Sequence, residues 1–62
     1  ADVLIAFAPY IGANLISGVK LILSGILVER LSAVKDAYLN AGFIFFFFYI
    51  KGEWSALVFE KA

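Results

Sequence analysis

The residues of this 62-residue sequence that could do chemistry are its charged side chains, which are few and balanced. The sequence has five Lys and Arg residues and five Asp and Glu residues, so the formal net charge is zero. The sequence contains no Cys and no His, which removes the usual ligands of zinc and iron–sulfur clusters. Thiol nucleophiles and imidazole bases are absent for the same reason. No two carboxylates are spaced like an acid–base pair, so the sequence predicts neither a catalytic site nor a metal site.

Lys20 is the charged residue with the most unusual position, because it lies inside a long apolar run. A charge within hydrocarbon costs about 2.5–3.5 kcal/mol on insertion scales. Either the side chain extends to an interface, or its ammonium pairs with an anion such as a neighbour's carboxylate or a lipid phosphate. If the chain turns near Val34, Tyr49 lies beside Lys20, and these two residues are the candidate lipid-binding pair.

The composition predicts that this chain is surrounded by lipid or by copies of itself. Hydrophobic residues make up 65% of the sequence and charged residues 16%, against about 45–50% and ~25% in an average soluble domain. A chain of this length buries only about 60% of its unfolded surface when it folds alone. The apolar residues are therefore too numerous to be hidden inside one small fold.

The first apolar run, residues 3–28, predicts a helix that spans a membrane. Its 26 residues would measure about 39 Å as a helix, against a hydrocarbon core of about 30 Å. Small residues recur along it at a spacing of about seven, which predicts a stripe where helices pack closely. The candidate packing residues are Gly12, Ala13, Ser17, Gly18, Ser24 and Gly25.

The rest of the chain predicts a second apolar arm, over residues 37–59, after a charged connection at residues 29–36. The aromatic run at residues 43–50 could form a helix or a strand. A strand edge is not tolerated in hydrocarbon and no second β-like segment is apparent, so a helix is predicted. The turn lies either within residues 29–36 or at residues 40–42, where Asn40 or Gly42 could end a helix. The predicted fold is all-α, a single membrane-type two-helix hairpin over residues 1–62 that assembles through helix–helix and helix–lipid packing.

These two apolar arms, joined by a short charged connection and preceded by Ala1 rather than Met, resemble the conjugative and type IV secretion pilins, including the archaeal DNA-import pilins. The resemblance implies a membrane protein that loses its leader and polymerises into a helical, lipid-containing tube. The missing Met fits removal of a leader, or a sequence that starts late. The family often has a net basic connection, whereas this one is neutral. The candidate residues facing the lumen or the loop are Glu29, Arg30, Lys35 and Asp36.

The function expected from this resemblance is that of a structural pilin subunit rather than an enzyme. Its expected partners are copies of itself, membrane lipid, the secretion machinery and single-stranded DNA as cargo. Its expected location is the cell membrane and then an extracellular pilus, with bound lipid in place of any cofactor. A small accessory subunit of a respiratory or photosynthetic membrane complex is the alternative. A membrane-active peptide fits less well, because such peptides usually carry excess positive charge. The lack of Cys, Met and Gln also fits a thermophilic source.

Overall fold

The structure, a computed structural model that describes residues 2–62, is a small α+β domain with two helices on one face of a three-stranded sheet. The strand order is β1-β3-β2, and β3 runs antiparallel to both neighbours. A short 3-10 turn at Val28–Arg30 joins β1 to α2. The elements are α1 (Asp2–Asn14), β1 (Lys20–Leu27), α2 (Leu31–Asn40), β2 (Phe43–Lys51) and β3 (Trp54–Lys61).

The predicted all-α hairpin of two membrane helices is wrong. The apolar run at residues 3–28 is divided, since α1 ends at Asn14, whose side-chain amide donates to the Tyr10 carbonyl at 2.7 Å. Gly18 then adopts a φ of 89°, a value that glycine reaches without steric cost, and the chain continues as β1. Within residues 2–62 no helix has the length and apolarity needed to cross a membrane.

The aromatic run forms a strand because it has a partner that follows immediately. Residues Lys51 and Trp54 pair across a two-residue turn, in which Gly52 has a φ of 63°. Such two-residue loops favour glycine at the first central position, where φ is positive. The segment 55–59, expected to continue an apolar helix, is the second β segment that the sequence interpretation did not find.

The charged connection at residues 29–36 is mostly helical and is not the sharp turn between two arms. It begins in the 3-10 turn and continues into α2. The chain reverses instead after Asn40, where Gly42 takes a φ of 95° between α2 and β2. This is the second of the two turn positions that the sequence allowed.

The core lies between the helices and one face of the sheet. Alternate residues of a strand point to the same face, and in β3 this places Leu57 and Phe59, both fully buried, against the helices. Tyr38 of α2 stacks on Phe59 with ring centroids 5.6 Å apart. The buried apolar residues are Ala8, Leu23, Ile26, Val34, Tyr38, Phe43, Leu57 and Phe59.

The opposite face of the sheet has no helix over it among residues 2–62 and is largely apolar. Paired residues of neighbouring antiparallel strands share a face, so Ile22, Val58 and Phe47 lie side by side there. Ile22 and Phe47 are exposed, as are Tyr49 and Trp54. The face therefore presents hydrophobic side chains to its surroundings; we refer to it below as the open face.

Tyr38 is expected to make the stability of the fold depend on alkaline pH. Its hydroxyl donates to the Leu4 carbonyl at 2.8 Å and joins α2 to α1. Burial raises the pKa of Tyr38 above its ordinary value of 10.0, so the unfolded chain releases this proton at a lower pH than the folded chain does. The free energy of unfolding should therefore fall as the pH rises from about 10 towards the raised pKa. Substitution Y38F should remove this contribution, and at pH 8 it should cost about 0.5–1.5 kcal/mol through the lost hydrogen bond.

Urea unfolding at pH 8 and pH 11 measures both effects. The control is Y49F, because Tyr49 is exposed and should keep both the stability and the pH dependence of the parent chain. Equal losses of stability between the two pH values in the parent chain and in Y38F would show that Tyr38 is not the responsible group.

Candidate functional site

A surface groove at the end of β1 is the candidate functional site. It is lined by Leu27, Val28, Glu29 and Glu53 and has a volume of about 350 Å³. The Val28 amide donates to the Glu53 carbonyl at 3.0 Å, which holds the turn between β2 and β3 beside the 3-10 turn. The groove thus joins two parts of the chain that are distant in sequence.

The groove combines two carboxylates with aliphatic walls. Ionised carboxylates only accept hydrogen bonds, so Glu29 and Glu53 suit a cationic or hydrogen-bond-donating group. The ion pairs that the structure shows within residues 2–62 join Lys20 to Glu60 and Arg30 to Asp2, and neither uses a groove carboxylate. The lining holds no thiol, hydroxyl or imidazole, and its charged side chains are the two carboxylates.

A second, shallower groove lies on the open face, with a volume of about 200 Å³. It crosses the sheet at the point where β1 has an irregular register between Leu23 and Ile26. Gly25, with a φ of 71°, accommodates this bulge, since one strand carries extra residues there. The lining is Ser24, Gly25, Tyr49, Lys51, Trp54, Ser55 and Ala56.

Lys20 and Tyr49, predicted to bind lipid together, lie on different strands with β3 between them. Lys20 pairs with Glu60 of β3, whereas Tyr49 is level with Ala56, so the structure does not bring the two side chains together. The Lys20 ammonium forms an ion pair with Glu60 and lies 4.3 Å from the centre of the Phe46 ring. Binding of lipid by either residue stays a prediction.

The four charged residues predicted to face a lumen or loop have separate surroundings. Glu29 lines the groove at the end of β1. Arg30 binds Asp2 of α1 at 2.6 Å, and the Lys35 ammonium lies 4.2 Å from the centre of the Phe45 ring. Asp36 lies on the exposed side of α2. The structure therefore assembles no common site from these residues.

The small residues predicted to form one helical stripe are spread over three kinds of structure. Gly12 and Ala13 belong to α1, Ser17 and Gly18 to the loop that follows, and Ser24 and Gly25 to β1. Of these, Gly12 is buried where α1 meets the Ala41 backbone after α2, and a β-carbon there would overlap the Ala41 carbonyl oxygen.

Glu53 is the groove residue that sequence reasoning missed. The signal was present in Lys51-Gly52-Glu53-Trp54, because a glycine between two apolar runs favours a hairpin. Such a hairpin would have placed Glu53 at one end of a sheet. The expectation of two helices left it as an interruption in an apolar arm.

Comparison with known proteins identifies the family. The family model described as ribosomal protein L11 methyltransferase (PrmA) matches residues 1–62. Proteins named ribosomal protein L11 methyltransferase from Streptococcus equi subsp. zooepidemicus and Streptococcus pyogenes serotype M5 are each 54% identical to this chain over 41 residues. One from Streptococcus pyogenes serotype M49 is 51% identical over the same length. In each case the alignment covers 66% of this chain and 13% of the relative.

These matches overturn the pilin assignment and the expectations that followed from it. The predicted functions, a filament subunit or an accessory membrane subunit, are wrong, because the matched family and relatives are methyltransferases. The expectation of a non-enzymatic family is wrong for the same reason. The predicted homopolymer, secretion machinery and DNA cargo have no support from this family, nor does a membrane pool followed by an extracellular pilus.

Membership rests on the extent of the match as well as on the identity. The family model covers every residue of the sequence, including the groove residues Glu29 and Glu53. The chain belongs to the ribosomal protein L11 methyltransferase family.

Proposed function

We propose that this chain forms part of an enzyme that methylates ribosomal protein L11. The observation that carries the proposal is the match of the family model to residues 1–62. Identity of 54% over 41 residues to relatives that bear this name supports it. The alignment spans about an eighth of those relatives, 13% of their length, so the activity is proposed for the assembled enzyme and not for this chain alone.

The contribution of the chain to that enzyme is a rigid platform with the groove at its end. The core formed by Tyr38, Leu57 and Phe59 fixes β3 against the helices. The Val28–Glu53 hydrogen bond then fixes the two carboxylates of the groove relative to that core. Glu29 and Glu53 themselves lie in turns, so this hydrogen bond is what ties their positions to the platform. The groove carboxylates are the groups we assign to contact with a cationic part of the substrate protein.

A methyltransferase also uses a methyl donor, and the buried polar side chains of residues 2–62 do not indicate where one would bind. Buried polar side-chain atoms in residues 2–62 all have hydrogen-bond partners within the fold. The buried hydroxyl of Ser55, for example, donates to the Ile26 carbonyl at 2.8 Å, which leaves it occupied. No step through a donor is therefore derived from these residues.

Grafting tests the proposal directly. Residues 1–62 are placed in the Streptococcus equi L11 methyltransferase in exchange for the segment that they match, and transfer of labelled methyl groups to purified L11 is measured. We expect the graft to keep activity within about tenfold of the parent enzyme. A graft that melts at the parent temperature but methylates no L11 would contradict the proposal.

The groove is tested in the same graft by the pair of substitutions E29Q and E53Q. These changes keep the side-chain size and remove both charges, so the fold should persist while the KM for L11 rises. The matched control is E60Q, which removes a carboxylate that already pairs with Lys20 away from the groove. An unchanged KM in the double variant would remove the groove from the proposal while leaving the family assignment intact.

A further inference from the structure

A β-bulge interrupts β1 shortly before the residues that line the groove at the end of that strand. The pairing of β1 with β3 is regular up to Leu23 and resumes at Ile26. Between these two residues, Ser24 and Gly25 lie opposite Ala56 alone. A bulge disrupts the ladder of backbone hydrogen bonds and bends the strand that carries it. The end of β1 therefore needs a contact beyond the bulge that fixes it to β3 again.

Ser55 of β3 provides such a contact. It lies opposite Ile26, where regular pairing resumes, and its hydroxyl donates to the Ile26 carbonyl at 2.8 Å. Ser55 is 5% exposed and Ile26 is 1% exposed, so water has little access to this hydrogen bond. Hydrogen bonds are stronger in such surroundings than in water. The Ser55 side chain thus joins β1 to β3 on the groove side of the bulge.

Both carboxylates of the groove follow closely from this hydrogen bond along the chain. Ile26 and Glu29 are joined by a short segment of β1 and the 3-10 turn, and Ser55 follows Glu53 and the start of β3. The Val28 amide donates to the Glu53 carbonyl at 3.0 Å in the same region. The Ser55–Ile26 and Val28–Glu53 hydrogen bonds together connect the two short segments that carry the carboxylates.

We propose that Ser55 is a positioning residue for the groove: its hydroxyl holds the end of β1 in place beyond the bulge, which keeps Glu29 and Glu53 aimed at the same cationic group. Ser55 does not itself line this groove, so it acts through the backbone and not by contact with the substrate protein. The proposal rests on the proposed function of the groove.

Loss of the hydroxyl should loosen the groove without unfolding the domain. The Ile26 carbonyl would lose a partner inside the core, and Gly25 allows the bulge to shift because glycine adopts many backbone conformations. Binding groups must be held within about 0.5 Å of their productive positions to work together. A small displacement of Glu29 relative to Glu53 should therefore weaken binding of the cationic group while the methyl transfer itself continues.

Substitution S55A in the graft of residues 1–62 tests the proposal. The KM for L11 should rise by about threefold to tenfold, the equivalent of about one hydrogen bond, with kcat unchanged. S55T keeps a hydroxyl and suits a strand, so it should restore the KM. The matched control is S17A, the same change at an exposed position in the loop after α1, which should leave both constants unchanged.

A double-mutant cycle separates positioning of the groove from a general loss of stability. In the E29Q and E53Q background, S55A should raise the KM no further, because the charges whose placement it controls are gone. An equal factor in both backgrounds would overturn the proposal, since Ser55 would then act independently of the carboxylates. A lower kcat with an unchanged KM would also overturn it.

Hydrogen exchange of the same grafts tests the positioning without activity. S55A should speed exchange at the Val28 amide. The Gly18 amide, which donates to the Lys61 carbonyl at 2.8 Å at the other end of β3, should exchange as in the parent. Unchanged exchange at Val28 overturns the proposal whatever the kinetics show. S55C, a weak donor of similar size, replaces S55A if that graft does not fold.

Failure of the groove and failure of the positioning role give different results. If E29Q and E53Q leave the KM unchanged, the groove loses its proposed function, and faster exchange at Val28 in S55A still supports the hold of Ser55 on the end of β1. If E29Q and E53Q raise the KM but S55A changes neither the KM nor the exchange at Val28, the groove stands and Ser55 does not position it.

Discussion

Substitution F59A is expected to cost about 3–5 kcal/mol of stability, the usual range for removal of a large buried aromatic side chain. Phe59 is fully buried, and its ring contacts three others, those of Tyr38, Phe43 and Phe45, at centroid distances of 5.6, 6.1 and 5.8 Å. Folded domains have about 0.05–0.15 kcal/mol of stability per residue. A chain of 62 residues therefore has roughly 3–9 kcal/mol in all, and F59A removes much or all of it.

Thermal unfolding followed by circular dichroism measures this loss. The matched control is F7A, which deletes the same atoms from a half-exposed position on α1 and should cost less than about 1.5 kcal/mol. If F59A and F7A lowered the melting temperature equally, the aromatic cluster would not be the centre of the core.

Substitution G12A is expected to destabilise the fold by about 1–3 kcal/mol, the usual cost of overpacking. In an exposed helix the same change would stabilise by about 1 kcal/mol, because alanine favours helix more than glycine does. At Gly12 the added methyl group overlaps the Ala41 carbonyl oxygen, which is backbone and cannot move aside without shifting the end of α2. The clash should therefore reverse the sign expected from helix propensity.

The neighbouring substitution A13G provides the comparison for G12A. Ala13 is exposed on the same helix, so A13G should cost about 1 kcal/mol through propensity alone. Both changes should thus lower the melting temperature, although they exchange the same two residue types in opposite directions. A higher melting temperature for G12A would show that α1 and α2 are not in close contact at this point.

Several elements of the fold could have been predicted from local signals in the sequence. Gly42 after a helical segment marks its end, as the sequence interpretation allowed, and Gly18 and Gly52 mark turns in the same way. The alternation of buried and half-buried positions from Ser55 to Phe59 is visible only in the structure, because the sequence there does not alternate polar and apolar residues. Aromatic residues are also enriched in strands, which fits β2. These signals together predict two strands joined by a tight turn.

Overall hydropathy misleads about the surroundings of this chain. If residues 3–28 lie in lipid, a strand at residues 43–50 is excluded, but the rule that excludes it holds only in hydrocarbon. Hydropathy averaged over a long window also cannot separate α1 from β1, since both are apolar and the polar residues between them are few. The family could not be inferred from composition, because function depends on sites rather than on the average character of a chain.

Only part of the candidate site could be predicted from the sequence. Glu29 was named as a charged residue beside an apolar run, and the structure places it in the groove. Glu53 joins it because β3 lies between β1 and β2, which brings the hairpin turn to the end of β1. Strand order of this kind depends on which distant strands pair with each other, and one sequence alone does not show those pairs.

The strand order also has a consequence for synthesis on the ribosome. β3 lies between β1 and β2 in the sheet, yet it follows both of them in the chain. Lys20 pairs with Glu60, forty residues later, so β1 has been translated long before its neighbour exists. Contacts this distant in sequence form slowly. Until residues 54–61 emerge, β1 and β2 lack the strand that joins them, and apolar strand segments exposed at that stage are the kind of surface that chaperones bind.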